Sequence, residues 1–265
     1  MSREKLKIAA IAHDVVWADK DENIITVAEL LNKVERDTDI VVLPEMFSTG
    51  TIFNIEQIHE FAENENGIVI VNVCRWAQFF KFAICGSFLA NVDGKYYNRA
   101  FFVEPSGEIT YYDKRHLFSI GAESENYNKG NNKSPIIRYR GWNISMQICC
   151  DIRFPIWCRN DGNKSDLMLV PANWPNKRNY AWKHLLIARA IENQMYVVGA
   201  NRSGNDDYGN YDESSYIYDY MGKDIAKISN ESSKIIYAEL NKFALEQFRS
   251  SFPIYLDADK YDILI

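Results

Sequence analysis

Three apolar runs in this sequence end in groups that can do chemistry together. Trp142, Ile144, Met146 and Ile148 alternate with Asn143, Ser145 and Gln147, and the run ends at Cys149. That period of two reads as a half-buried strand over 142–148. A second run, 39–43, is followed by Pro44 and Glu45, and a third, 109–112, by Asp113 and Lys114. A thiol, a carboxylate and an ammonium form a coherent catalytic set. The carboxylate can take the thiol proton as general base. The ammonium can stabilise the thiolate and the oxyanion of a tetrahedral intermediate, and the backbone N–H of Cys150 can add a second oxyanion donor. This chemistry needs no histidine, and His13, His59, His116 and His184 are scattered along the chain.

The elements that must position these groups follow from periodicity. Residues 6–11 read as a strand and 24–34 as a helix, with Ile24, Val27, Ala28, Leu31 and Val34 on one face. With the strand at 39–43 they make a β-α-β unit, which implies parallel neighbours in a covered sheet. A helix is expected over 68–80. Strands are expected over 82–90 and 96–103, joined at Asp93-Gly94, and over 109–112 after Ser106-Gly107. The polar, aperiodic stretch 113–133 reads as a long loop, and loops of that length in compact domains are usually functional. Later strands are expected over 136–139, 167–171, 195–200, 215–218 and 235–240, with helices over 180–193 and 242–248. Strands alternating with helices, without repeat, linker or low-complexity segment, argue for one α/β domain over 1–265. Catalytic groups in α/β folds commonly sit at strand ends. Pro155 is placed to open a helix after the cysteine bend, and the N–H groups of such a helix would favour a thiolate.

Composition narrows the function class. The 265 residues carry 30 Lys+Arg against 36 Asp+Glu, a net charge of −6, which gives no pull toward nucleic acid or an anionic membrane. No apolar run approaches the roughly 20 residues that span a bilayer. No cleavage-like site follows the N-terminal residues, so no signal peptide is expected. Five cysteines (Cys74, Cys85, Cys149, Cys150, Cys158) are an odd number without a C-x-x-C pair, which argues against a disulfide framework and against zinc. Reduced thiols in the cytoplasm are expected. No cofactor or metal is expected.

Leu43-Pro44-Glu45-Met46-Phe47-Ser48-Thr49-Gly50, Tyr112-Asp113-Lys114-Arg115-His116-Leu117-Phe118 and Cys149-Cys150-Asp151-Ile152-Arg153-Phe154-Pro155 together resemble the three signature blocks of the nitrilase superfamily of carbon–nitrogen hydrolases. The resemblance runs from about residue 5 to residue 260. The stretches Ala172-Asn173-Trp174-Pro175 and Arg189-Ala190-Ile191-Glu192-Asn193-Gln194, with the tail from Phe252 to Asp259, resemble the omega-amidase (2-oxoglutaramate amidase) branch. The resemblance implies an α/β fold, a four-layer α-β-β-α sandwich, paired into a homodimer. It implies Glu45 as general base, Lys114 as oxyanion stabiliser and Cys149 as nucleophile. It also implies a second glutamate after the lysine, for which Glu123 fits best and Glu125 competes. The family pattern usually has tyrosine where this chain has Cys150, and strand alternation would put Cys150 on the face opposite Cys149.

The implied substrate is the omega-amide of a short 2-oxo acid, such as 2-oxoglutaramate or 2-oxosuccinamate, cleaved with water through a cysteine thioester. Another nitrilase-type or carbamoyl-amine hydrolase activity, or a silent binding protein on the same fold, are the competing readings. Phe47, Cys150, Trp174 and Arg178 are expected at the substrate pocket. A substrate carboxylate needs a cation, and Arg178, Arg202 and Arg115 are candidates. Asp151 with Arg153, and Arg189 with Glu192, are expected to be structural ion pairs. His116 and His184 are expected on the surface or in hydrogen bonds.

Overall fold

A computed structural model describes residues 4–119 and 123–263. The first half forms β1 (Lys5–Ile11), α1 (Lys20–Asn32), β2 (Ile40–Val42), α2 (Ile55–Phe61), α3 (Ile68–Phe80), β3 (Ala83–Val92), β4 (Lys95–Val103) and β5 (Ile109–Asp113). The second half forms α4 (Glu123–Asn126), β6 (Ile137–Tyr139), β7 (Trp142–Met146), β8 (Leu167–Ala172), α5 (Asn179–Asn193) and β9 (Tyr196–Asn201). After it come β10 (Gly204–Asp206), β11 (Gly209–Tyr211), β12 (Tyr216–Tyr218), β13 (Lys227–Ile228), β14 (Ile235–Asn241) and α6 (Lys242–Ser251).

Two large sheets pack face to face. One has the order β13-β14-β1-β2-β3-β4-β5 and the other β12-β9-β8-β7-β6. β1, β2 and β3 run parallel, as do β7, β8 and β9. Strand alternation sorts the side chains into layers. Leu6, Ile8, Ala10, Ile40, Val42, Ala83 and Cys85 enter the core shared with Ile144, Met146, Leu169 and Val198 of the second sheet. Their neighbours Ala9, Ile11, Val41 and Ile84 pack instead against Val27 and Leu31 of α1 and Val73 and Ala77 of α3. Trp182, Leu186 and Ala190 of α5 cover the outer face of the second sheet. The result is the α-β-β-α sandwich. Gly199 of β9 permits the close approach of α5, since a Cβ there would lie 2.5 Å from Leu186 Cδ1.

Most expected elements are present, with ends moved by a few residues. α1 begins earlier than its apolar periodicity, because Asp19 caps it by accepting the Glu22 N–H at 3.0 Å. α2 and the β10–β11 hairpin were not expected; α2 is short and capped by Asn54. Pro155 opens a turn rather than a helix. The chain makes a single 3₁₀ turn over Cys149–Arg153, with Cys149 at φ +43°. Within 113–133 the short helix α4 stands where a loop was expected; residues 120–122 of that stretch lie outside the described residues.

Candidate active site

β2 delivers Glu45 to the end of the first sheet. The turn after it places Met46 at φ +50°, held by Ser87 of β3: the Met46 N–H donates to Ser87 Oγ at 2.9 Å and the Phe47 N–H to Ser87 O at 3.2 Å. This turn sends Phe47 into the α-helix side of the core. Phe47 is fully buried, with its ring centroid 6.0 Å from Phe101 and 6.5 Å from Trp76. It does not line the cavity described below, contrary to its expected place at the pocket.

Lys114 leaves β5 beside β4. Its N–H donates to Asn98 O at 2.9 Å, and its own carbonyl accepts the Gly130 N–H at 2.9 Å. A Cβ at Gly130 would sit 2.1 Å from Asp113 O, so only glycine lets this loop close over the lysine. Lys114 Nζ lies 2.8 Å from Glu45 Oε1, 2.8 Å from Glu123 Oε1 and 2.9 Å from Glu123 Oε2. Glu123 sits in α4, buried, and also accepts the Phe118 N–H at 2.7 Å. Glu125 is exposed. Asn98 Nδ2 donates to Glu45 Oε1 at 2.7 Å and to Glu123 Oε1 at 3.3 Å. The other Glu45 oxygen accepts the Asn173 N–H at 2.8 Å, just past the end of β8.

Cys149 lies on the 3₁₀ turn after β7. Its thiol meets Glu45 and points toward Asn173 O at 4.0 Å. Asp151 organises the turn. Its carboxylate accepts the Ile148 N–H at 3.1 Å, the Tyr112 hydroxyl at 2.8 Å, and the His116 N–H and Nδ1 at 2.9 and 2.8 Å. It thereby ties the cysteine turn to the loop that carries Lys114. The expected Asp151–Arg153 pair is not formed: Asp151 is committed to these donors, and Arg153 lies over the Trp174 ring, 4.5 Å from its centroid. The expected Arg189–Glu192 pair is present. His116 is hydrogen-bonded and stacked on Phe154, with centroids 3.8 Å apart.

The charges decide which proton can move. Burial, then Glu45, hold the Cys149 thiol well above its usual value, while Lys114 pulls it down. The thiol is therefore kept protonated at rest, not pre-ionised by helix N–H groups. Burial also pushes Glu45 upward; Lys114 opposes this and Glu123 adds to it. Burial opposes the charge on Lys114, but Glu123 and Glu45 outweigh it and keep the ammonium charged. A protonated thiol beside a carboxylate of raised basicity is the arrangement general-base activation requires.

These groups open onto one cavity of about 200 Å³, lined by Glu45, Lys114, Glu123, Cys149 and Cys150. Asn173, Trp174 and Arg178 line its wall, with Arg153 and Lys177. Tyr208 and Tyr211 of the β10–β11 segment and Phe53 also line it. Cys150 thus shares the cavity with Cys149. Strand alternation ends at Met146, and the left-handed backbone at Cys149 swings the next side chain to the same side. Of the arginines expected to meet a carboxylate, Arg178 is at the cavity. Arg202 is buried and bonded to Asp206 and Val15 O, and Arg115 to Gly130 O and Asn131. Asn98, Asn173 and Arg153 were not anticipated here; an asparagine inside the apolar strand 96–103 was the one available signal for Asn98. Among the described residues no three His, Cys, Asp or Glu side chains converge as a metal site, and no helix is long and apolar enough to cross a membrane.

The Carbon-nitrogen hydrolase family profile matches residues 7–250. The chain belongs to the carbon–nitrogen hydrolase family. Its relatives include Omega-amidase YafV of Yersinia enterocolitica, 38% identical over 260 residues that cover 98% of this chain and 99% of that protein. The 2-oxoglutaramate amidase of Bacillus subtilis is 29% identical, covering 97% and 98%. Among solved structures, XC1258 of Xanthomonas campestris, a CN-hydrolase superfamily protein with an arsenic adduct in its active site, superposes with a TM-score of 0.91 at 34% identity, covering 98% of this chain and all of that one. As a carbon–nitrogen hydrolase the chain is an enzyme, and the cavity at Glu45, Lys114 and Cys149 is its candidate active site.

Proposed function

We propose that this carbon–nitrogen hydrolase is an omega-amidase, releasing ammonia from the terminal amide of a short 2-oxo dicarboxylic acid such as 2-oxoglutaramate or 2-oxosuccinamate. The observation that carries the reading is the convergence of Cys149, Glu45 and Lys114 on a cavity that also holds Arg178. Glu45 takes the Cys149 proton as sulfur attacks the amide carbon. Lys114 and the Cys150 N–H meet the oxyanion. Glu45 returns the proton to nitrogen, the C–N bond breaks, and ammonia leaves a thioester. Glu45 then takes a proton from water, whose oxygen attacks the thioester; the carboxylic acid leaves and Cys149 regains its proton. Glu123 orients Lys114 through two hydrogen bonds. Trp174, Cys150 and Arg178 contact the substrate.

The similarity to proteins named as omega-amidases supports the substrate class. The test is ammonia release by purified protein from 2-oxoglutaramate, compared with nitriles and carbamoyl amines; no release from 2-oxoglutaramate overturns the reading. The whole chain, 1–265, acts as one catalytic domain. Five free cysteines support a reducing, cytoplasmic setting. Exposed Phe154 and Ile156 beside the cysteine turn, and Tyr180 and Ile191 on α5, support a homodimer, which light scattering would test.

A further inference from the structure

Charge at the cavity is unevenly committed. Four cations line it, Lys114, Arg153, Lys177 and Arg178, against three carboxylates, Glu45, Glu123 and Asp206. Lys114 is held between Glu45 and Glu123. Asp206 is taken up by Arg202 at 2.7 Å, by the Tyr211 hydroxyl at 3.2 Å and by the Tyr208 and Gly209 N–H groups. Among the described residues Arg153 and Arg178 meet no carboxylate. Each instead rests on an aromatic face: Arg153 lies 4.5 Å from the centroid of Trp174, and Arg178 lies 5.1 Å from that of Phe118. A guanidinium laid over a ring is fixed in position while the N–H donors at its edge stay open. Trp174, the support of Arg153, is in turn tied to the backbone of Arg178, since its Nε1 donates to Arg178 O at 2.9 Å. Arg153 closes the same 3₁₀ turn that begins at Cys149, so its place is set relative to the reacting sulfur.

We propose that Arg153 and Arg178 form a two-arginine subsite for the substrate carboxylate, selecting amides that carry an anion at the end remote from the scissile bond. This rests on the omega-amidase reading and deepens it: Arg153 is a specificity-determining residue and not a structural partner of Asp151. Two forked donors can each give a carboxylate oxygen charge-assisted hydrogen bonds.

The test compares two amides, 2-oxoglutaramate and neutral butyramide, in wild type, Arg153→Met, Arg178→Met and Arg153→Lys, with circular dichroism to check folding. Loss of a charge-assisted bond predicts a rise in KM for 2-oxoglutaramate of about ten- to hundredfold in either methionine variant, exceeding by about tenfold or more any loss on butyramide, with partial recovery in Arg153→Lys. Glutarate binding to the Cys149→Ala protein, by calorimetry, should weaken to the same degree when either arginine is replaced. Equal losses on both amides, or a loss confined to Arg178→Met, overturn the subsite. If wild type releases ammonia from 2-oxoglutaramate and Arg153→Met does so unchanged, the subsite falls and the omega-amidase reading stands. If wild type does not hydrolyse 2-oxoglutaramate while glutarate binding depends on both arginines, the reading falls and the subsite stands.

Discussion

Asn98 Nδ2 lies 2.7 Å from Glu45 Oε1. A neutral amide on β4 thus shares, with the Lys114 ammonium, the oxygen of the proposed general base. The same nitrogen reaches Glu123 at 3.3 Å, so Asn98 spaces two buried carboxylates that flank one lysine. A hydrogen bond to the ionised form favours that form. Asn98→Ala should therefore raise Glu45 further, in the direction that burial already pushes it. Activity that requires ionised Glu45 is lost as pH falls, so the acid limb of the kcat/KM profile should move to higher pH. The rate at the optimum should fall by about tenfold or more, the value of one charge-assisted bond. An unshifted acid limb would show that the bond does not act on the base.

In the wild-type profile, the acid limb should lie above the ordinary carboxylate value of about 4.3, because burial holds Glu45 up. The alkaline limb should lie high, because Glu45 and Glu123 keep Lys114 charged beyond the usual lysine range. A pH titration of ammonia release between the two limbs checks both signs.

Lys114→Met removes the only ammonium held between Glu45 and Glu123 among the described residues. Two buried carboxylates would then face each other without a counter-charge, which predicts a stability loss of about 3 kcal/mol in urea unfolding as well as loss of activity. Glu123→Gln should be milder in stability, because Glu45 still pairs the lysine, but should slow the reaction.

Cys149 and Cys150 line one cavity, so their separate roles are testable by thiol chemistry. Cys149→Ala should abolish ammonia release and active-site labelling by iodoacetamide. Cys150→Tyr, which restores the ring usual in the family, should retain activity within about tenfold, since its N–H remains. The opposite pattern would move the nucleophile to Cys150.

Gly130→Ala should act at a distance. The added Cβ would overlap Asp113 O, which forces the loop that holds the Lys114 carbonyl to shift. A loss of about 2 kcal/mol or more is expected from this overpacking, with reduced turnover, measured by thermal unfolding alongside ammonia release.

The sequence by itself determined the ordered alternation of strands and helices, because period-two and period-3.6 apolar patterns are local consequences of burying one face. It also marked Glu45, Lys114 and Cys149 as polar groups at the ends of apolar strands. Only the tertiary structure decided what these ends meet. β2, β5 and β7 lie in two different sheets, and face-to-face packing brings their ends to one cavity. Asn98 could be read only as an odd polar residue in a strand until β4 was seen beside β5. Cys150 lines the pocket as expected but on the same side as Cys149 rather than on the opposite face, and Phe47 leaves the pocket, because the backbone at Cys149 and Met46 enters the left-handed region, where strand alternation no longer assigns faces. Arg153 depended on a competition that linear order hides: Asp151, two residues away, takes His116 and Tyr112 as partners, and Arg153 turns to Trp174.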